Sequence, residues 1–173
     1  MTNFFKKNDI LKYKSVYKDH NDEKYKKRFK KIMNYYGDPK IKSKIFDHLL
    51  KKFEINVKPK DYYLNKKEIK YLVSLGMIIG SHSESHTLLS KLSYKKQFSE
   101  LKNSKVFLEK IINKKVDTFC YPYGKKLSYN YHTLKILKQL KYKLAYSIEH
   151  RDISFKDIQK KPYELPRYDC NSF

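Results

Sequence analysis

The sequence predicts an α/β chain in which parallel β/α units follow a basic helical hairpin. Three observations carry that prediction. Helical and short apolar patterns alternate three times between residues 64 and 173, as parallel β/α units require. Residues 1–63 show two helical stripes and no strand pattern, so they form a segment of their own. Two histidines stand just past the first apolar run, at the strand end where barrel-like α/β folds build their sites.

Residues 22–36 open the series. Tyr25, Phe29, Ile32, Met33 and Tyr36 recur at steps of three and four, the spacing of one helical face. Gly37 breaks that helix, and Pro39 suits the first turn of the next. Ile41, Ile45, Phe46, Leu49, Leu50 and Phe53 give the second stripe, and the two helices read as a hairpin with apolar inner faces. Residues 56–64 are a connector holding Pro59 and the pair Tyr62–Tyr63. Asn65 and Glu68 form a capping-box pattern for a helix that Gly76 closes. Residues 77–81 then read as a short buried strand. Ser93 caps the longest helix, which ends near Asn113, and residues 116–121 form the next strand. A Pro-Tyr-Gly loop leads to a helix over 129–141. The third strand is 144–148, and Leu165 begins the terminal segment.

Composition narrows the function classes. A length of 173 residues allows a core of useful size. No apolar run reaches the roughly 18 residues of a membrane span, and the N-terminus has no stretch of signal-peptide type. Two cysteines, Cys120 and Cys170, do not make a disulfide framework, so a reducing cytoplasm is the expected location. The net charge of +22 raises a nucleic-acid reading. Only three of the 40 basic residues are arginine, however, and arginine is the residue suited to bidentate phosphate and base contacts. The lysines are scattered over solvated faces, so nucleic acid is not the expected partner. A weak attraction to acidic polymers remains open.

Three segments carry chemistry. The first is Gly80-Ser-His-Ser-Glu-Ser-His86, with His82 and His86 four residues apart. Imidazole is a common ligand for zinc and other first-row metals, and one helical turn would bring both rings to one ion. The spacing also arises by chance, and the bland alternative is two surface or core histidines. The second segment is Phe119-Cys-Tyr-Pro-Tyr-Gly124, which could equally be a plain strand-to-loop turn. The third is Leu165-Pro-Arg-Tyr-Asp-Cys-Asn171. His20, His48, His132 and His150 are isolated and read as surface or core residues.

Together and in this order, the three segments resemble the polysaccharide deacetylase family, carbohydrate esterase family four. The resemblance runs from about residue 64 to the end, with residues 1–63 similar to a helical insert some members carry. It implies part of a distorted (β/α) barrel and metal-dependent removal of acetyl groups from a carbohydrate. It also implies that His82 and His86 ligate zinc or another divalent transition metal. The backbone N–H of Tyr123 would face the reaction's oxyanion, and Tyr121, Pro122 and Tyr123 would line the sugar groove. Arg167 and Asp169 match a late motif in which the arginine orients the catalytic carboxylate.

The family's opening motif is missing. No Asp-Asp pair, the family's source of a third ligand and a base, occurs in the 173 residues. The expectation is therefore an incomplete deacetylase, with a second chain supplying the front strands as a candidate partner. Two alternatives stand beside it: an inactive fragment or pseudoenzyme, and a basic non-catalytic module that binds nucleic acid or an acidic polymer.

Overall fold

The computed structural model describes residues 7–18 and 22–169. Cys170 and Asn171 of the terminal motif lie outside the described residues, as does His20. The chain divides into two compact units, Met1–Tyr63 and Leu64–Phe173.

The first unit holds α1 (Lys7–Lys12), α2 (Lys24–Lys31) and α3 (Pro39–Lys52). The expected helix over 22–36 is not one regular helix. Past Lys31 it widens into a π-helical turn, Ile32–Tyr36, which Gly37 N closes on Ile32 O at 2.7 Å. The buried residues also differ from an apolar hairpin. Tyr13 and Val16, after α1, are buried with Met33 and Tyr35 of the π turn, and the Tyr13 and Tyr35 rings lie 5.0 Å apart. Phe46 and Phe53 of the α3 stripe are instead 48% and 61% exposed. Periodicity shows which residues share a face, but not what covers it.

The second unit opens with α4 (Lys66–Ser74). The Asn65 side chain accepts from the backbone N–H groups of Lys67 and Glu68, and Glu68 returns a bond to Asn65 N at 2.7 Å. The helix ends in a Schellman arrangement: Gly76 N donates to Val73 O and Met77 N to Leu72 O. Gly76 has φ +84°, a left-handed conformation that favours glycine.

The strand expected over 77–81 shrinks to one residue. Ser81 N donates to Thr118 O at 2.9 Å and Cys120 N donates to Ser81 O at 2.8 Å, but Met77 is 54% and Ile78 83% exposed. An apolar run becomes a buried strand only when neighbours cover it, and these two residues have no such cover.

Next come α5 (Tyr94–Ile112), β1 (Thr118–Cys120), α6 (Tyr131–Gln139), β2 (Leu144–Tyr146) and α7 (Phe155–Lys160). β1 and β2 pair in parallel with Phe119 opposite Ala145. Isolated parallel bridges add Ser81 beside Phe119 and Leu165 beside Tyr146. Four parallel segments thus lie in chain order, separated by helical crossovers. Among the described residues they form a small array and not a closed barrel.

The core between array and helices contains Leu89, Leu101, Val116, Phe119, Tyr121, Ile136, Leu137 and Ala145. Burial pushes the Tyr142 phenol up to about 12, and its O–H donates to Leu101 O. Buried Gln97 ties two crossovers together, accepting from Thr133 Oγ1 at 2.6 Å and donating to Leu92 O at 3.0 Å. Both groups are satisfied, so their burial is not penalised. No described helix is long and apolar enough to cross a membrane.

Gly124 has φ +62°, and a Cβ built there would lie 2.3 Å from Ile148 Cγ1. A Cβ at Gly76 would meet nothing within 4 Å. Gly124→Ala should therefore cost both left-handed strain and overpacking, about 2–5 kcal/mol. Gly76→Ala should cost the strain alone, about 1–2 kcal/mol. Urea midpoints with unchanged slopes would measure both, and equal losses would contradict the steric account of Gly124.

Candidate active site

The two backbone bonds to β1 fix where Ser81 sits, and its Oγ shares a 2.8 Å hydrogen bond with Ser104 Oγ of α5. His82 leaves from this anchored point. Its Nδ1 lies 2.7 Å from Cys120 O. A carbonyl only accepts, so that nitrogen carries the proton and Nε2 keeps its lone pair for a ligand.

Residues 82–86 do not make the expected helical turn. Ser83 and His86 are both left-handed, at φ 64° and 51°, and Ser83 Oγ accepts from His86 N at 3.1 Å. This bend still brings the two rings together, with centroids 4.8 Å apart in an edge arrangement. That spacing is within reach of one ion whose bonds to imidazole nitrogen are about 2.0–2.1 Å. The other side chains of the loop are engaged. Glu84 N, Ser85 N and Ser85 Oγ all donate to the Glu100 carboxylate, and Glu84 Oε2 accepts from Asn103 Nδ2 at 2.9 Å.

The second motif reaches the same place. Beyond β1, Tyr121 N donates to Tyr146 O, and the chain then turns through Tyr123 and Gly124, both left-handed. The Tyr123 ring lies 5.1 Å from that of His86. Tyr121 and Pro122, expected along the sugar groove, are both fully buried. Tyr121 is 0% exposed, stacks on Tyr129 at 4.0 Å and donates its O–H to Tyr163 O at 2.6 Å. Burial raises its phenol pKa far above the ordinary value. Tyr123, the third predicted groove residue, is half-buried and borders His86.

The third motif is placed in part. Burial pushes the Cys120 thiol up, while the neighbouring Arg167 guanidinium pulls it down, so Arg167 stands beside the segment that holds His82. Arg167 Nε is buried and has no hydrogen-bond partner among the described residues. Asp169 is half-buried and engaged in contacts of its own.

As a metal centre the arrangement fits in part. The His pair has the donor chemistry, and His82 the oriented tautomer, but no group of three or more His, Cys, Asp or Glu residues gathers among the described residues. The residues the motifs did not reveal are Glu100, Ser104 and the Cys120 carbonyl. Each acts across a long sequence separation, and no local pattern points to it.

The polysaccharide deacetylase family model matches residues 17–145. The chain therefore belongs to the polysaccharide deacetylase family. The match also takes in much of the first unit, so the likeness begins earlier than residue 64. The deacetylase PplD of Streptococcus pyogenes, solved in complex with acetate, is 30% identical, with a TM-score of 0.55 over 61% of this chain and 44% of its own. A polysaccharide deacetylase of Bacillus cereus is 27% identical, with a TM-score of 0.53 over 61% of this chain and 32% of its own. A de-N-acetylase of Aggregatibacter actinomycetemcomitans, 13% identical at a TM-score of 0.52 over 66% of this chain and 51% of its own, shares the fold. The chain spans less than half the length of the first two. No curated protein matches it.

The His86 imidazole is lowered below 6.5, first by desolvation in the bend and then by repulsion from His82. The fold favours neutral His86, and stability linked to this group falls as pH drops through the unfolded-state value near 6.5. NMR titration of the ring C–H should give a midpoint below 6.5 that rises in His82→Ala. A midpoint at or above 6.5 would contradict the geometry.

Proposed function

We propose that this chain carries the histidine half of a divalent-metal-dependent deacetylase that hydrolyses acetyl groups on a carbohydrate. The observation supporting this reading is the meeting of His82, His86 and Tyr123 at the C-terminal ends of parallel segments, in a chain of this family. The acetate held by the Streptococcus relative is the product such a reaction would release.

His82 and His86 would hold the ion, zinc being the first choice for paired imidazoles. The ion supplies Lewis acidity toward the acetyl carbonyl and water. The bond to Cys120 O orients His82 for that duty. The backbone N–H of Tyr123 would stabilise the developing oxyanion. Arg167, whose buried Nε has no hydrogen-bond partner among the described residues, would orient the carboxylate that takes the water proton. Water adds its oxygen to the acetyl carbon, the bond to the sugar nitrogen or oxygen breaks, and the leaving atom gains a proton. Asp169 follows Arg167 in the same motif and is kept as a site residue on the resemblance alone.

Two histidines fall short of the three protein ligands of an ordinary catalytic zinc site. The reading therefore includes a further carboxylate-bearing segment that joins the array on the Ser81 side. Exposed Met77 and Ile78 border that edge, and unpaired sheet edges readily accept a strand. A separate chain supplying that segment would be the partner. Nucleic acid is not part of the reading.

The test is acetate release from an acetylated chito-oligosaccharide with added zinc, beside calorimetric zinc titration and a His82→Ala control. The expected result is weak zinc binding lost in His82→Ala, with turnover near background, since a missing general base costs about 10²–10⁴ in rate. Robust turnover abolished by that substitution would keep the metal hydrolase and remove the incompleteness. No zinc binding at all would remove the metal reading.

A further inference from the structure

One face of α5 grips the histidine loop at three points. Glu100, Asn103 and Ser104 are three and four residues apart, the spacing that aligns side chains along a helix. Ser104 Oγ meets Ser81 Oγ, where the loop begins. Asn103 Nδ2 donates to the Glu84 carboxylate at 2.9 Å. Glu100 makes the densest contact: its Oε2 accepts from Glu84 N at 3.1 Å and Ser85 N at 2.9 Å, and its Oε1 accepts from Ser85 Oγ at 2.6 Å. Two successive backbone N–H groups turned to one side form an anion-binding concavity, and here the protein fills it with its own carboxylate.

We infer that Glu100 is the positioning residue of the His82–His86 loop, setting the backbone from which His86 reaches the site. The loop cannot hold this shape by local preference, because Ser83 and His86 lie on either side of the gripped pair and both adopt the disfavoured left-handed conformation. Ser83 Oγ secures one bond across the bend. β1 holds the loop where it begins, through Ser81 and His82, and α5, whose Gln97 and Leu101 are fully buried, holds its middle at Glu84 and Ser85. The grip also disposes of Glu84. With its backbone N–H on Glu100 and a carboxylate oxygen on Asn103, Glu84 is engaged with α5 instead of joining the histidines. Glu100 touches no reacting group, so its effect passes through His86. The part of the inference that concerns an ion rests on the metal reading proposed above.

Two measurements on the purified chain test it separately. The first, without metal, follows amide hydrogen exchange at Glu84 and Ser85 by NMR in the wild type, Glu100→Ala and Glu100→Gln. The second titrates zinc alone into the same proteins and into His82→Ala. Glu100→Ala should speed exchange at those two amides while core amides such as Leu101 and Phe119 stay protected. It should also weaken zinc binding about 10- to 100-fold, the usual effect of losing a group that orients a ligand. Glu100→Gln keeps a carbonyl acceptor and should recover most of both, whereas a purely stabilising charge would not be rescued. Unchanged exchange at Glu84 and Ser85 in Glu100→Ala would overturn the inference, as would zinc affinity within twofold of a wild type that binds. If the wild type binds no zinc, the metal reading fails, and the exchange result alone supports or overturns the role of Glu100.

Discussion

Everything at the site depends on one parallel pairing, that of Ser81 with β1. Ser81 N on Thr118 O and Cys120 N on Ser81 O set the height at which His82 leaves the array. They also put Cys120 O where it can accept from His82 Nδ1. The chain runs on from β1 into Tyr123, so the last residue of the strand orients one imidazole and the turn beyond it faces the other. A slip of one residue would turn every side chain on this segment to the opposite face, separating His82 from Cys120 O.

The loops around that pairing are held against local preference. Ser83, His86 and Tyr123 are left-handed without being glycine, at a cost of order 1–3 kcal/mol each. Hydrogen bonds offset part of this, above all those to a charged acceptor, worth about 1.5–3 kcal/mol. Strain gathered at one place and restrained from outside is the pattern of a site, where fixed geometry has more value than local ease. The core beneath shows the reverse, with Gln97 and Thr133 satisfied and Tyr121 stacked flat on Tyr129.

Local signals were the legible part of the sequence. Asn65 with Glu68, Gly76 and Ser93 each mark a helix end through bonds made within a few residues, and the structure contains all of them. The Ser154–Asp157 box that opens α7 is an equally local signal, although the expected pattern has no helix before Leu165. Features that depend on distant cover were not legible. Met77 and Ile78 have the composition of a buried strand but lack covering neighbours among the described residues. Tyr121 and Pro122 have the composition of a groove wall but are fully buried, Tyr121 against Tyr129 and Tyr163. His82 and His86 were found by their spacing, although a left-handed bend unites them and not a helical turn.

The separation between His82 and Cys120, 38 positions along the chain, has a consequence for the order of assembly. During synthesis the histidine segment leaves the ribosome well before the strand that orients it. At about 5–20 residues per second that interval lasts on the order of seconds. α4 and the start of α5 are local structures available in that interval, but the carbonyl that selects the His82 tautomer is not. The ligand geometry is therefore a late product of long-range closure, and an ion that meets the nascent histidines finds two unoriented imidazoles.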